Sequence, residues 1–224
     1  MKRIIRVIAL SLILVLPVEI YSQIDIGIKG GYGYSRYFFQ SEITQGFLPV
    51  LNGGILFQYL DNKKLGIQSS IEFTQKGWDE ITVDQGNAKF KMDFVQFEAL
   101  SLFKLSRKKE NGLFFKFGPY FAYSFNSEYS ESGNTDTLTL NYDSLLTSYN
   151  KIDYGLRIGV SYKLQIKNGS LQLELLYAQG LYNILERDPA GIFQSINQSL
   201  FINLAYTFTL GRRENKRKKA NLPK

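Results

Sequence analysis

Apolar and polar residues alternate with a period of two in eight stretches of this sequence, and no other feature limits its possible folds as tightly. Successive side chains of an extended strand point to opposite faces, so such alternation marks strands lying between two unlike environments. The clearest stretch runs from Ile152 to Leu164. One parity reads Ile152, Tyr154, Leu156, Ile158, Val160, Tyr162 and Leu164; the other reads Asp153, Gly155, Arg157, Gly159, Ser161 and Lys163. The last stretch repeats the pattern, with Leu200, Ile202, Leu204, Tyr206, Phe208 and Leu210 against Asn203, Ala205, Thr207 and Thr209.

The alternation predicts six further strands, over 24–38, 49–60, 65–78, 89–105, 113–127 and 170–182. Most exceed the ordinary strand length of about 5–6 residues and suit the roughly 9–11 residues that cross a bilayer at a tilt. The fourth is less regular. Phe90, Met92 and Phe94 share one parity and Val95, Phe97 and Ala99 the other, which a bulge near Phe94 would reconcile. The connections alternate in length. Asp61–Lys64, Ser106–Gly112 and Ile166–Gly169 are short and carry Lys or Gly, whereas Gln40–Leu48, Asp79–Ala88, Glu128–Asn150 and Asn183–Ser195 are longer and more polar. Short turns on one rim and long loops on the other characterise outer-membrane barrels. An even strand count then puts both termini on the short-turn side, expected to be the periplasm.

The first 22 residues differ from the rest. Lys2, Arg3 and Arg6 precede an apolar stretch from Val7 to Leu16, then Pro17 and the small Ser22, which reads as a signal peptide over 1–22. The barrel domain is expected over 23–210 and a basic periplasmic tail over 211–224. The net charge of +7 resides at the ends: 1–22 carry three bases and one acid, and 211–224 carry seven bases and one acid. The remaining 17 bases and 18 acids leave the body near neutral, which weakens a nucleic-acid reading. The tail has no interleaved aromatics and no basic domain behind it, so no nucleic-acid partner is expected.

Which face meets lipid decides between a membrane barrel and a soluble one. The polar parity carries Asp25, Lys29, Glu72, Lys76, Glu98, Lys116, Asp153, Arg157, Lys163 and Glu174, five acids and five bases. An eight-stranded barrel has room inside for side chains only. Charges facing inward would therefore have to pair across the lumen, because an unpaired buried charge is costly. A soluble barrel with these charges in solvent is the alternative, and the leader argues against it. Tyr32, Tyr34, Tyr37, Trp78, Tyr123 and Phe125 towards the loops, with Tyr59, Phe114, Phe115, Tyr206 and Phe208 at the other rim, suit an interfacial aromatic girdle.

Catalysis has few residues to draw on. The sequence contains no His and no Cys, so Ser-His-Asp machinery, cysteine nucleophiles and His or thiolate metal sites are excluded. No catalytic residue, cofactor or metal ligand is expected. Asp136 and Asp143 lack the spacing of a calcium loop. The segment Thr137–Leu146 is expected to prolong the hairpin above the membrane.

Several stretches, in order, resemble the PorT-like outer-membrane β-barrel family of Bacteroidetes-type bacteria. These are IGIKGGYGYS (Ile26–Ser35), GIQSSIEFTQKG (Gly66–Gly77), FEALSLFKL (Phe97–Leu105), FGPYFAYSF (Phe117–Phe125), DYGLRIGVSYKL (Asp153–Leu164) and YAQGLYNI (Tyr177–Ile184). Leu100 stands where that family usually has proline, and the tail beyond Leu210 is a second departure. The resemblance implies an eight-stranded outer-membrane barrel and a link to protein secretion. The expectation is an all-β, eight-stranded antiparallel up-and-down transmembrane barrel with a filled polar lumen, surrounded by outer-membrane lipid. It would act without catalysis as a binding or scaffold component, alone or as a subunit with an envelope or secretion partner. A purely structural envelope barrel is the alternative, and a lipid- or peptide-modifying enzyme comes third.

Overall fold

The computed structural model describes residues 23–39, 45–60, 64–82, 86–106, 111–132, 137–140, 150–166, 169–184 and 195–210. Among the described residues ten strands are found: β1 (Gln23–Phe39), β2 (Gln45–Gly46), β3 (Leu48–Leu60), β4 (Leu65–Thr82), β5 (Gly86–Lys104), β6 (Gly112–Ser132), β7 (Thr137–Leu140), β8 (Ile152–Ile166), β9 (Gly169–Gly180) and β10 (Ser195–Leu210). Eight of them form the wall. Each long strand pairs antiparallel with its neighbours in sequence, in the order β4, β3, β1, β10, β9, β8, β6, β5, and β5 returns to β4. The barrel is closed, which leaves the wall no unpaired edge to aggregate. The seam between β1 and β10 runs unbroken from Ile24 opposite Leu210 to Phe39 opposite Ser195. Residues 1–22, expected to be a signal peptide, and residues 211–224, expected to be a basic tail, lie outside the described residues.

The two parities separate cleanly. On β8, Asp153, Gly155, Arg157, Ser161 and Lys163 are buried, while Tyr154, Leu156, Ile158, Val160, Tyr162 and Leu164 are exposed. The apolar side therefore faces outward. On β4 the outward residues from Leu65 to Phe73 are apolar apart from the small Ser69, and Gln75 follows them. That run of about ten residues fits one tilted crossing of the hydrocarbon core. Inward glycines let the strands coil closely: a Cβ on Gly118 would lie 2.0 Å from the Ala99 carbonyl oxygen on β5.

The strands outrun their sequence-based limits at the loop end. The expected long connection Asp79–Ala88 is mostly a hairpin, paired up to Thr82 opposite Gly86. β6 continues to Ser132 and β7 folds back on it, Tyr129 opposite Leu140. β2 adds a short bridge to β4 at Asp79 and Glu80. A wing of five strands, β2, β4, β5, β6 and β7, therefore rises on one side of the barrel. Residues 141–149, and with them Asp143, lie outside the described residues, as does Asp136.

The expected bulge in the fourth strand needs correction. A register shift does occur between Asp93 and Phe94, but the extra residue is Phe125 on β6, not a residue of β5. Phe125 and Asn126 consequently both face outward. β5 keeps strict alternation, so Phe90, Met92 and Phe94 point inward together with Gln96 and Glu98, and Val95 and Phe97 point outward.

Candidate functional site

All ten charged residues of the polar parity are buried inside the barrel. At mid-height Lys29 of β1, Glu72 of β4, Glu98 of β5 and Arg157 of β8 form a quartet. Arg157 Nη1 donates to Glu72 Oε1 at 2.6 Å and to Glu98 Oε2 at 2.5 Å. Lys29 Nζ lies 2.5 Å from Glu98 Oε1 and 3.2 Å from Glu72 Oε1. Each carboxylate thus meets both cations, and the group is neutral. Ser70 and Asn52 complete it, the Ser70 hydroxyl donating to Glu98 at 2.7 Å and the Asn52 amide to Glu72 at 3.2 Å.

Three more pairs continue the network. Towards the termini, Lys116 pairs with Glu174 and Lys163 with Asp25. Towards the loops, Lys76 Nζ donates to Asp153 Oδ2 at 2.7 Å. Glutamines link these levels: Gln58 and Gln172 donate to each other at 2.9 Å, and Gln68 accepts from Lys116 and from Gln58, both at 2.7 Å. Neutral amides can donate and accept at once, so they bridge cationic and anionic levels without adding charge. The gap among Gln58, Leu60, Leu102 and Phe114 admits no water-sized sphere.

The lumen is less uniformly polar than the sequence implied. Leu56, Leu100, Leu102, Leu176 and Phe201 also point inward and are buried. Above Lys76 the interior becomes aromatic, where Tyr37, Trp78, Phe90, Met92, Phe94, Tyr120, Ala122, Ala178 and Ile184 pack as one cluster. Trp78 lies 4.4 Å from Phe90 and 5.3 Å from Tyr37, centroid to centroid. Lys76 sits beneath this cap, its ammonium 4.3 Å from the Tyr120 ring and 5.1 Å from Phe94. Those separations are within cation–π range. The Tyr120 hydroxyl donates to Asp153 at 3.2 Å.

Three residues expected in the interfacial girdle thus belong to the interior. Tyr37, Trp78 and Phe114 are buried, because each falls on the inward parity of its strand. Tyr32, Tyr34, Tyr123 and Phe125 at one end, and Phe208 at the other, do face outward. Polar contacts bound this outward belt at the loop end. Gln75 Nε2 and Asn126 Nδ2 donate to Asp93 at 3.0 and 2.9 Å, and across the barrel Arg36 Nε donates to Gln198 at 2.8 Å. Sequence reasoning missed the glutamine bridges and the aromatic cap. An inward Gln or Trp carries no signal in a one-dimensional pattern beyond its parity. Among the described residues no group of three or more potential ligands is placed to hold a metal.

A filled lumen inside a closed barrel with an apolar exterior defines the class as a β-barrel membrane protein. The model of the outer membrane protein β-barrel domain family matches residues 18–186, and the chain belongs to that family. Two similar solved structures, each with a TM-score of 0.50, agree in fold. OprG of Pseudomonas aeruginosa is 11% identical, with 84% of this chain and 96% of that chain covered and a TM-score of 0.50. A major outer membrane protein of Thermus thermophilus is 14% identical, covering 84% and 99%, also with a TM-score of 0.50. Ail, the attachment invasion locus protein of Yersinia pestis, is 13% identical, covering 83% and 99%, with a TM-score of 0.42. No curated protein matches the chain. The protein is an outer-membrane β-barrel whose exterior meets membrane lipid.

Proposed function

We propose that this barrel acts without catalysis, as an anchor or scaffold that engages partners at its rims. One observation carries the reading: the interior is occupied by paired charges, amides and aromatics from the Lys163–Asp25 level up to the Trp78 cap. Among the described residues, a lumen so filled offers neither a conduit nor a ligand cavity. The absence of His and Cys from the sequence supports the non-catalytic reading. What is left for recognition is the wing at the loop end and the turns and tail at the other. In this reading residues 1–22 are a leader, both termini lie in the periplasm, and the ten lumen charges serve the scaffold by fixing its shape. The PorT-like motifs make a component of protein secretion the leading identity for the partner.

In-cell crosslinking of the tagged protein in the outer membrane, followed by mass spectrometry, tests this. A stoichiometric protein partner, lost on deleting 212–224 or on shortening 133–149, is the expected result. Crosslinks only to lipid and abundant porins would overturn the scaffold reading and leave a purely structural barrel. Hydrolysis of lipid or peptide that disappears with one lumen carboxylate would instead make it an enzyme.

A further inference from the structure

The outward face of β1 climbs the whole lipid-facing belt and then meets a base. Ile24, Ile26, Ile28, Gly30, Tyr32 and Tyr34 face outward in succession, and Arg36 is the next residue of that parity. At about 3.3 Å per residue and a tilt of about 40°, the run from Ile24 to Tyr34 rises about 25 Å, the height of the apolar band of such barrels. Arg36 therefore stands at the headgroup level of the loop-end leaflet. Gln75, Asp93 and Asn126 mark the edge of the belt on other strands. Around Arg36 the surface does not turn to water at once, because Phe38 and Phe47 are both exposed there. A cation framed by outward aromatics above and below lies within the interfacial layer rather than beyond it.

The guanidinium is held on two sides. Its Nε donates to Gln198 Oε1 on β10 at 2.8 Å, and its Cζ lies 4.9 Å from the centre of the Phe47 ring, within cation–π range. Gln198 is itself fixed. Its Nε2 donates to Gln179 Oε1 on β9 at 3.1 Å, and the Tyr177 hydroxyl donates to the same oxygen at 2.7 Å. Every group in this chain apart from Arg36 is neutral. The outward base Lys91, by contrast, pairs with Glu128. Among the described residues Arg36 meets no carboxylate, and its terminal nitrogens Nη1 and Nη2 have no partner. Such a fork can grip two oxygens of one phosphate. The amides thus position an uncompensated cation and leave its strongest donors open.

We infer that Arg36, braced by Gln198 and Phe47, is a binding site for the phosphate group of a membrane lipid. A lipid is the phosphate source that this setting fits. Tyr34 and, paired opposite it, Leu200 offer exposed apolar surface to acyl chains just below the guanidinium. Free phosphate would gain nothing from that surface, and a protein carboxylate would have to come down past Phe38 and Phe47. The site belongs to the wall and stands whichever partner the rims engage.

The test uses the full-length protein with isotope-labelled arginine, reconstituted in vesicles of digalactosyldiacylglycerol, a phosphate-free lipid, to which phosphatidic acid is added. Solid-state NMR then measures the coupling between guanidinium nitrogen and lipid phosphorus. The arginine signal missing from an Arg36→Gln sample identifies Arg36, and Arg36→Lys gives the same assignment with the charge kept. That signal is expected to couple to phosphorus in these vesicles. It should show no coupling when phosphate-free vesicles are given inorganic phosphate instead. Affinity for phosphatidic acid, read by native mass spectrometry of the barrel in detergent, should fall about fivefold with Arg36→Gln, the upper reach of an exposed ion pair. Gln198→Leu, which keeps the charge and removes its brace, should weaken it by less. Heat-modifiable gel mobility confirms that each variant is a folded barrel. No phosphorus coupling at Arg36, equal coupling to inorganic phosphate, or unchanged affinity in Arg36→Gln would overturn the inference. So would a photo-crosslinking residue in place of Phe38 that captured a protein rather than lipid in outer membranes, which would make Arg36 a protein contact.

Discussion

Arg157→Gln is the sharpest test of what holds the barrel interior together. The substitution removes one of two cations from the central quartet and leaves Glu72 and Glu98 to share Lys29. Each Arg157 contact, at 2.6 and 2.5 Å, has a gross Coulomb energy of about 6 kcal/mol at an effective dielectric of about 20. Desolvation of the guanidinium offsets much of that sum. The net loss expected is about 3–5 kcal/mol, the range seen when one partner of a buried ion pair is deleted. Urea unfolding of the barrel in lipid vesicles, followed by Trp78 fluorescence and by gel mobility before and after heating, measures it. Adding Glu98→Gln restores equal charge, so the double variant should be more stable than the sum of the singles by at least about 1.5 kcal/mol. Both contacts use the same nitrogen, Nη1. Arg157→Lys preserves one nitrogen and the charge, and should cost well under half as much as Arg157→Gln. An Arg157→Gln barrel within about 1 kcal/mol of wild type, or strictly additive singles, would refute the ion network as the source of the interior's stability.

Three other outcomes follow from the same geometry. Trp78 is the only tryptophan and lies inside the aromatic cap, so its emission should be blue-shifted and untouched by brominated acyl chains; quenching by brominated lipid would return it to the interfacial girdle. Gly118→Ala should cost about 1–3 kcal/mol or prevent folding, since its Cβ meets backbone at 2.0 Å, whereas Gly30→Ala, with only the Asn52 carbonyl at 3.8 Å, should be tolerated. Equal stability of the two alanine variants in urea would count against the packing described. Planar-bilayer recordings should show no steady conductance for the wild type, and an open channel of fixed size would contradict the filled lumen.

The eight wall strands were legible because the environment on each side of the wall differs so strongly. On β8 and β10 the outward parity is apolar throughout the belt and the inward parity is polar or small apart from Phe201, and seven or six consecutive outward apolar residues are hard to produce by chance. The ten charges could be assigned to one face for the same reason. Their pairing could not. Nothing in the order Asp25, Lys29, Glu72 says that Lys29 meets Glu72 and Glu98 whereas Asp25 meets Lys163, since that depends on strand stagger around the closed barrel. The bridging glutamines were invisible on the same ground. Strand ends at the loop side were also hidden, because a hairpin such as Asp79–Ala88 has the polar composition of a loop once it leaves the membrane.

The irregular fourth strand shows where the sequence logic has to change. Inside the membrane the outward parity must be apolar, as Val95 and Phe97 are, and the inward parity holds Gln96 and Glu98. Beyond the membrane the outward face meets water and the inward face becomes a small core. Apolarity therefore changes parity without any change in the backbone: Phe90 and Met92 face in, and Lys91 faces out to pair with Glu128 at 3.2 Å. A bulge and a boundary leave the same mark on the pattern, a switch of apolar residues from one parity to the other. They are distinguished by what the neighbouring strand does. β4 switches at the same height with its pairing intact, from outward Phe73 to inward Trp78 across Gln75. Two paired strands that invert together have crossed a boundary, and the polar contacts of Asp93 with Gln75 and Asn126 lie on that line. The switch of parity in the fourth strand thus measures where the bilayer ends, and everything the wing presents above it is presented to water.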